Sequence, residues 1–355
     1  MNSFIYEALP TRVVFGVGTI AQLKQEVDRL GLRRPLVLST PQQRSQAKDI
    51  ELRLDRASAG IFDGAEMHTP VEVTERALAI VRERAADGII AVGGGSTTGL
   101  SKAIAARTGL PQIVLPTTYA GSEMTPILGE TKDGLKTTRR DPKILPNVVI
   151  YDVDLTVSLP AALSATSGIN ALAHAAEALY GQNTNPITLL MAEEGIAALG
   201  RSLPRIVADP TDREARSDAL YGAWLCGICL GTAGMALHHK LCHTLGGSFN
   251  LPHAETHTIV LPHVIAFNAP NAPDAMNRIA RALGANDAIA GLNALLDQLN
   301  VVSALRDIGM PEDGIEKAAD LAVANPYWNP RPIERSAILD LIRRAWAGEP
   351  ASGTV

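Results

Sequence analysis

The chain is poor in the residues that would tie it to nucleic acid, a membrane or an oxidising compartment. Charged residues make up 19% of its 355 residues, and the formal net charge is −5. No concentrated basic face of the kind nucleic acid requires follows from that balance. The one basic cluster is Lys136, Arg139, Arg140 and Lys143, diluted by Asp133 and Asp141, the pattern of a solvated hairpin. Three cysteines, Cys226, Cys229 and Cys242, exclude a disulfide framework in a chain of this length. Cys226 and Cys229 stand as C-x-x-C inside the apolar run Tyr221–Leu230, where a thiol behaves as a small buried hydrophobe. The N-terminus has neither a basic n-region nor an apolar h-region, and no run of about 18 uncharged apolar residues is present to span a bilayer. The expected location is therefore cytoplasmic, with no membrane and no nucleic-acid partner.

Apolar residues are plentiful, at 46% of the chain with a mean hydropathy of +0.09. That composition, in 355 residues, suits two hydrophobic cores and a buried subunit interface. The two halves differ in pattern. Up to about residue 150, short β-branched runs at Leu36–Leu38, Ile89–Val92, Ile113–Leu115 and Val148–Ile150 read as buried strands bounded by Gly, Pro or Asn. Between them Val71–Ala86 carries Val73, Ala77, Ile80, Val81 and Ala85 near a period of 3.6. Strands alternating with helices predict a parallel sheet covered on both faces, with ligands beyond the carboxyl ends of the strands. From about residue 160 the pattern is helical, over Leu163–Tyr180, Ile187–Ile206, Asp212–Leu237 and Ser303–Ile308, punctuated by Gly181, Pro204, Pro210 and Pro252. The expected fold is an α/β nucleotide-binding domain with a Rossmann-like parallel sheet (residues 1–155), followed by an all-α catalytic domain (156–355). The hinge is expected near Asp152–Pro160, the active site in the cleft between the domains, and Gly348–Val355 as a frayed tail.

Directly after the strand Ile89–Val92 stand Gly93, Gly94, Gly95 and Ser96, and a helix is expected over Leu100–Ala106. Glycines between a strand and a helix let the backbone approach an anion, with the free N–H groups of the helix facing a pyrophosphate. A second polar patch, with Thr117, Thr118 and Ser122, follows the next strand and offers hydroxyls to nicotinamide, ribose or phosphate. The strand Leu36–Leu38 ends in Ser39 and Thr40 without an acidic residue. Dinucleotide sites often place an acid there to bind the adenosine ribose and repel a 2′-phosphate, so NADPH fits as well as NADH.

Seven of the eight histidines lie between residues 174 and 263, which places the chemistry in the helical half. Asn170 and His174 are spaced i, i+4 on one helix face, as are His239 and His243, and His253 follows Pro252. Imidazoles at such spacing converge on a metal or supply a general acid. Asn170 stands where a carboxylate would share a face with His174, and a neutral amide is a poor ligand for a divalent ion. Glu177, three residues beyond His174, is the available substitute.

Taken in order, Gly93–Ser96, Pro116-Thr117-Thr118 with Gly121-Ser122-Glu123, Gly168–Ala178, His239–Gly247 and Pro252-His253 resemble the iron-containing (group III) alcohol dehydrogenase superfamily along essentially the whole chain. The resemblance implies a dehydroquinate synthase-like two-domain architecture, commonly dimeric, with Lys102 among the cofactor contacts. It maps an Asp and three His that bind iron or zinc onto Asn170, His174, His239 and His253. Asn170 departs from that set, and Gly99 departs where the superfamily often has an Asp. Asn170 and the segment Asn325–Pro332, with Tyr327, resemble the maleylacetate reductase branch, which is regarded as metal-independent.

That branch implies NADH- or NADPH-dependent reduction of the carbon–carbon double bond of maleylacetate to 3-oxoadipate, a late step in aromatic-compound degradation, by a homodimer with no required metal. Conjugate reduction develops its charge on an enolate, which hydrogen-bond donors stabilise without an ion. His243, outside the mapped metal set yet on the face of His239, is the candidate general acid. His174, His239, His253, Asn170 and Tyr327 are candidates for substrate contact, with Arg12, Lys240 and Arg331 as cations for the two carboxylates. Three other readings stay open: a metal-dependent alcohol or polyol dehydrogenase, a lyase of the dehydroquinate-synthase type, and a nucleotide-binding protein without catalysis.

Overall fold

The computed structural model describes residues 3–55, 57–133 and 135–352, and leaves aside the side chains of Leu135 and Lys136. The side chain of Lys136 in the basic cluster and the last three residues of the expected tail therefore lie outside what is described. The chain divides into two compact units, one of Ala8–Leu159 and one that begins at Pro160 and also takes in the residues before Ala8.

The first unit is built on eight strands: β1 (Arg12–Gly16), β2 (Pro35–Leu38), β3 (Ile61–Phe62), β4 (Gly88–Gly93), β5 (Gln112–Pro116), β6 (Ile127–Lys132), β7 (Leu135–Arg140) and β8 (Val148–Asp152). Six of them form one sheet in the order β1-β8-β5-β4-β2-β3, with every pairing parallel. The remaining two make an antiparallel hairpin that carries Arg139 and Arg140. Its helices are α1 (Leu23–Arg29), α2 (Arg44–Leu52), α3 (Val71–Glu83) and α4 (Gly95–Thr108). Because a strand turns successive side chains to opposite faces, Val37, Ile90 and Val92 join a core with Val27 and Ile50, under α1 and α2. Leu36, Leu38 and Ile89 join a second core with Val73, Ala77 and Val81 of α3. The parallel sheet covered on both faces agrees with the expected class. Two strands, β1 and β3, escape the sequence pattern, because one opens on a charged residue and the other has only two residues.

The second unit is all helical: α5 (Ala161–Tyr180), α6 (Pro186–Ala208), α7 (Arg213–Ala233), α8 (Leu237–Phe249), α9 (His253–Asn268), α10 (Pro273–Ala282), α11 (Ala288–Leu299), α12 (Gly314–Ala324) and α13 (Arg335–Ala347). Four expectations need correction. The run Asp212–Leu237 is not one helix: it breaks after Ala233 at Gly234, whose φ of +84° suits glycine, and the chain bends by 98° into α8. Ser303–Ile308 forms only a 3-10 turn over Leu305–Ile308. Pro204 lies inside α6 rather than ending it, four residues before the helix stops. The tail is also better ordered than expected, up to Ser352. Asn293 donates to the Ala351 carbonyl at 3.0 Å, and Arg344 donates to Pro350 O and Ser352 Oγ at 2.9 Å each. Among the described residues no single helix is long and apolar enough to cross a membrane.

Glycine allows a tight helix approach in this unit. A Cβ on Gly222 of α7 would lie 3.0 Å from Ala198 Cβ and 3.1 Å from the Gly195 carbonyl of α6. Gly222→Ala therefore pushes backbone against backbone. It is expected to cost about 1–3 kcal/mol, read as a lowered midpoint in denaturant or thermal unfolding. Gly247→Ala on α8 meets nothing within 4 Å and should leave the midpoint unchanged or raise it.

Candidate active site

In the first unit the glycine loop begins where β4 ends. Gly93 takes φ +151°, and a Cβ there would collide with Thr97 and approach Gln43 Oε1 to 2.7 Å. A Cβ on Gly94 would lie 2.9 Å from Thr118. The loop closes onto β5, with Thr117 N donating to the Gly93 carbonyl at 3.1 Å. Helix α4 starts at Gly95, five residues earlier than expected, because the glycines themselves enter its first turn. Its N-cap Gly94 supplies no side-chain cap, the first turn holds no acid, Gly95 is exposed and Ser96 half-buried. Free N–H groups there meet the needs of a phosphate.

Three hydroxyls around the loop and the neighbouring strand ends, Ser39 Oγ, Thr97 Oγ1 and Ser122 Oγ, are buried without a hydrogen-bond partner. A buried unpaired hydroxyl is costly, and a ligand's polar atoms relieve it. Thr40 donates to Gln43 Oε1 at 3.2 Å, and Gln43 Nε2 donates to Thr117 Oγ1 at 2.8 Å, which links the ends of β2 and β5.

Lys102 does not join this set. Its ammonium donates to Ser122 O, to Thr125 Oγ1 at 3.0 Å and to Ile127 O at 2.9 Å, so all three hydrogens are taken inside the unit. Burial pushes it down to about 7 against the opposing pull of Glu123. Its role is to brace the Ser122–Ile127 turn. Arg12 is likewise misplaced as a substrate cation. It opens β1, at the amino edge of a sheet whose glycine loop lies at the carboxyl edge, and it pairs with the buried Glu26 at 3.0 Å. Gly99 has a local reason of its own, since a Cβ there would run into Thr69 Oγ1.

In the second unit the histidines converge. His174 of α5 and His239 of α8 stack at 5.0 Å between ring centroids, His239 and His257 of α9 stand at 5.0 Å, and His253 and His257 at 4.2 Å. His238 lies 4.8 Å from His257. His243 is next to His239 at 6.0 Å, half-buried, with Nδ1 3.4 Å from the Tyr327 hydroxyl. Lys240 sits over the Tyr327 ring at 5.8 Å. Asn170, one turn before His174, is buried with its Oδ1 unpartnered. Arg331 is not part of this group: it donates to the Phe267 carbonyl at 3.0 Å, ten residues past His257 on α9.

Two members escape the sequence reading, His238 and His257. His253 and His257 are an i, i+4 pair like His239 and His243, so that spacing carried the missing signal. Nitrogens of His238, His239 and His257 come within 4.8 Å of one another, a grouping that could hold a cation.

Glu177 is the organiser. Its carboxylate accepts from the backbone N–H of Ala236 at 2.8 Å and of His238 at 2.6 Å, both at the start of α8, and from His239 Nδ1 at 2.6 Å. Both oxygens are occupied, so it is no substitute metal ligand. With Nδ1–H directed at the carboxylate, His239 Nε2 is left bare, and it is buried without a partner. Burial raises the Glu177 carboxyl, but His239, His238 and the Ala236 N–H outweigh it and hold the group below its ordinary value. Burial, reinforced by neighbouring imidazoles, lowers His174 and His257 well below the usual range and pushes His238 down to about 4. These three rings are neutral at pH 7.

The family model for iron-containing alcohol dehydrogenase matches residues 10–153, and that for the C-terminal part of the Fe-containing alcohol dehydrogenase family matches residues 164–346. The chain belongs to the iron-containing alcohol dehydrogenase family. Within that family it is 56% identical to the maleylacetate reductase of Sphingobium indicum over 347 residues, covering 98% of each chain. It is 54% identical to the maleylacetate reductase of Burkholderia cepacia over 348 residues, 98% of this chain and 99% of that one. The crystal structure of maleylacetate reductase from Agrobacterium tumefaciens superposes with a TM-score of 0.95 at 55% identity, over 99% of this chain and 100% of that one.

The Glu177 contacts generate a stability prediction with a sign. A carboxyl whose pKa is depressed on folding stabilises the fold above its unfolded pKa, and that contribution disappears as pH falls through the lower folded value. Glu177→Gln should cost about 2 kcal/mol in denaturant unfolding at pH 7. The gap from wild type should narrow on acidification below the ordinary carboxylate range. A gap independent of pH would show that the charge has no part in it.

Proposed function

We propose that this protein reduces the carbon–carbon double bond of maleylacetate with NADH or NADPH to give 3-oxoadipate in aromatic-compound degradation, as a homodimer and without a metal. One observation carries the metal-free reading: around His239 the pocket offers neutral imidazoles and the Asn170 amide, while the carboxylate beside them is engaged by three backbone N–H groups and a ring N–H. A divalent ion would be buried there without an anionic ligand to offset its charge. The residues present therefore do not fit the iron of the family name, although the three nitrogens of His238, His239 and His257 favour the metal-dependent dehydrogenase as second reading.

For the nucleotide the fit is good: the open start of α4 receives phosphate, and the orphaned hydroxyls of Ser39, Thr97 and Ser122 gain partners. Gly93, Gly94, Gly95, Ser96, Thr117, Thr118 and Thr40 complete the contact set. A bound nicotinamide supplies the hydride, and the substrate's own keto group draws the charge onto an enolate. The chain's part is to hold that enolate and deliver one proton to carbon. His243, half-buried and beside Tyr327, reaches both substrate and solvent and is the acid. Asn170, His174, His239 and His253 line the polar wall against which the substrate is oriented. Lys240 pairs with a substrate carboxylate; burial lowers its ammonium, so an anionic partner restores it. The exposed apolar residues Phe4 and Ile5, the latter 93% accessible, suit coverage by a second subunit.

NADH oxidation should require maleylacetate and be indifferent to chelator; loss of the rate on chelation with recovery in Fe²⁺ or Zn²⁺ would establish the metal-dependent reading instead. His243→Ala should lower kcat by about 10²–10⁴, and a change under about threefold would remove it as the acid. Asn170→Asp should raise Zn²⁺ affinity in calorimetry, since it supplies the missing anion. Equal affinity in both proteins would remove that account of the site.

A further inference from the structure

A cavity of about 370 Å³ lies in the helical unit between one face of α9 and one face of α13, roofed by the tail at Ala351 and Ser352. His263 and Phe267 line it from α9, Ala337, Leu341 and Arg344 from α13, and Arg331 from the segment before α13. His263 is six residues past His257, about 9 Å along the helix, so this is a different place from the histidine pocket.

Its polar groups are built but incompletely used. His263 is 94% buried and, among the described residues, takes no hydrogen bond, although a buried imidazole normally has one. Burial, with Arg344 adding to it, pushes it down to about 4, so it is neutral and offers one donor and one acceptor. Arg331 is held in place over the Phe267 ring at 4.3 Å and uses one N–H on the Phe267 carbonyl. Among the described residues it has no carboxylate partner. Arg344 has Glu349 at 3.4 Å and spends an Nη on Pro350 O and Ser352 Oγ. The exposed Glu334 and Asp340 also line the cavity. Of the two lining guanidiniums, Arg331 is the one without a carboxylate partner among the described residues, and it can take one carboxylate. Ala266, Phe267, Ala337 and Leu341 give the same cavity an apolar lining.

We propose that this cavity is a second binding site, for a small monocarboxylate whose apolar body ends in a hydroxyl. The carboxylate meets Arg331, the body lies against the apolar wall, and the hydroxyl meets His263. Ligands of this shape differ from the dicarboxylate proposed for the histidine pocket, so the two sites are separable.

Calorimetric titration of the full chain with 4-hydroxybenzoate, benzoate and phenol tests it. The expected order of affinity is 4-hydroxybenzoate, then benzoate, then phenol, with one site per chain. Arg331→Gln should weaken both carboxylates about tenfold and leave phenol unchanged, with kcat and KM for the reductase reaction as in wild type. Ala337→Phe fills the cavity from the other wall and should abolish binding, with an unchanged unfolding midpoint as the control for folding. Absence of binding by all three probes at 10 mM (about 2.7 kcal/mol of affinity or less) would overturn the proposal. So would binding that survives both substitutions or is displaced by the reductase substrate, because it then belongs to the other pocket.

Discussion

The helical unit depends on one buried carboxylate. Glu177 projects from α5 into the first turn of α8, where free N–H groups and the positive end of the helix dipole meet it. An ionised group under such burial is tolerated only when it is fully hydrogen-bonded, and this one is. The break at Gly234 follows from the same contact. Helix α7 has to stop so that a new helix can begin with its N-terminus pointing at the carboxylate, nearly at right angles to the old one.

The state of the pocket follows from that contact. Since the carboxylate takes the Nδ1 proton side of His239, the ring is locked in one tautomer and one orientation, and its other nitrogen faces inward. The surrounding rings are packed too closely, and too far from water, to share positive charge. The result is a dry set of neutral donors and acceptors. Oriented neutral donors of this kind suit the oxyanion of the proposed reaction, and the Asn170 amide adds no negative charge to them. The amide of Asn170 and the engagement of Glu177 both leave the pocket without a free carboxylate.

Much of this was legible in the sequence, because the strongest patterns are local ones. The runs Leu36–Leu38 and Ile89–Val92 identified buried strands, and the glycines after Val92 identified the loop, since both signals sit within a dozen residues. The His239/His243 spacing likewise showed a shared face. What could not be read are contacts whose partners are distant in the chain. Nothing near Glu177 announces that it will cap a helix 59 residues later. Lys102 looked free because its three acceptors lie 20 to 25 residues away. Arg12 looked available because its place at the amino edge of the sheet is a property of strand order. The family resemblance nominated Lys102 and charge and position nominated Arg12, and geometry reassigned both.

The strand order also governs how the first unit comes to exist. Its first strand, β1, pairs only with its last, β8, with Arg12 opposite Val148. A ribosome delivers Arg12 early and Val148 more than a hundred residues later, so β1 has no partner in its sheet until nearly the whole unit has emerged. Closing so long a loop is slow, and meanwhile an apolar strand is exposed to other chains. The helical unit, whose neighbouring helices α5, α6 and α7 follow one another in sequence, has no such wait. Synthesis rate and chaperone supply should therefore limit the yield of this protein through its sheet-bearing first unit.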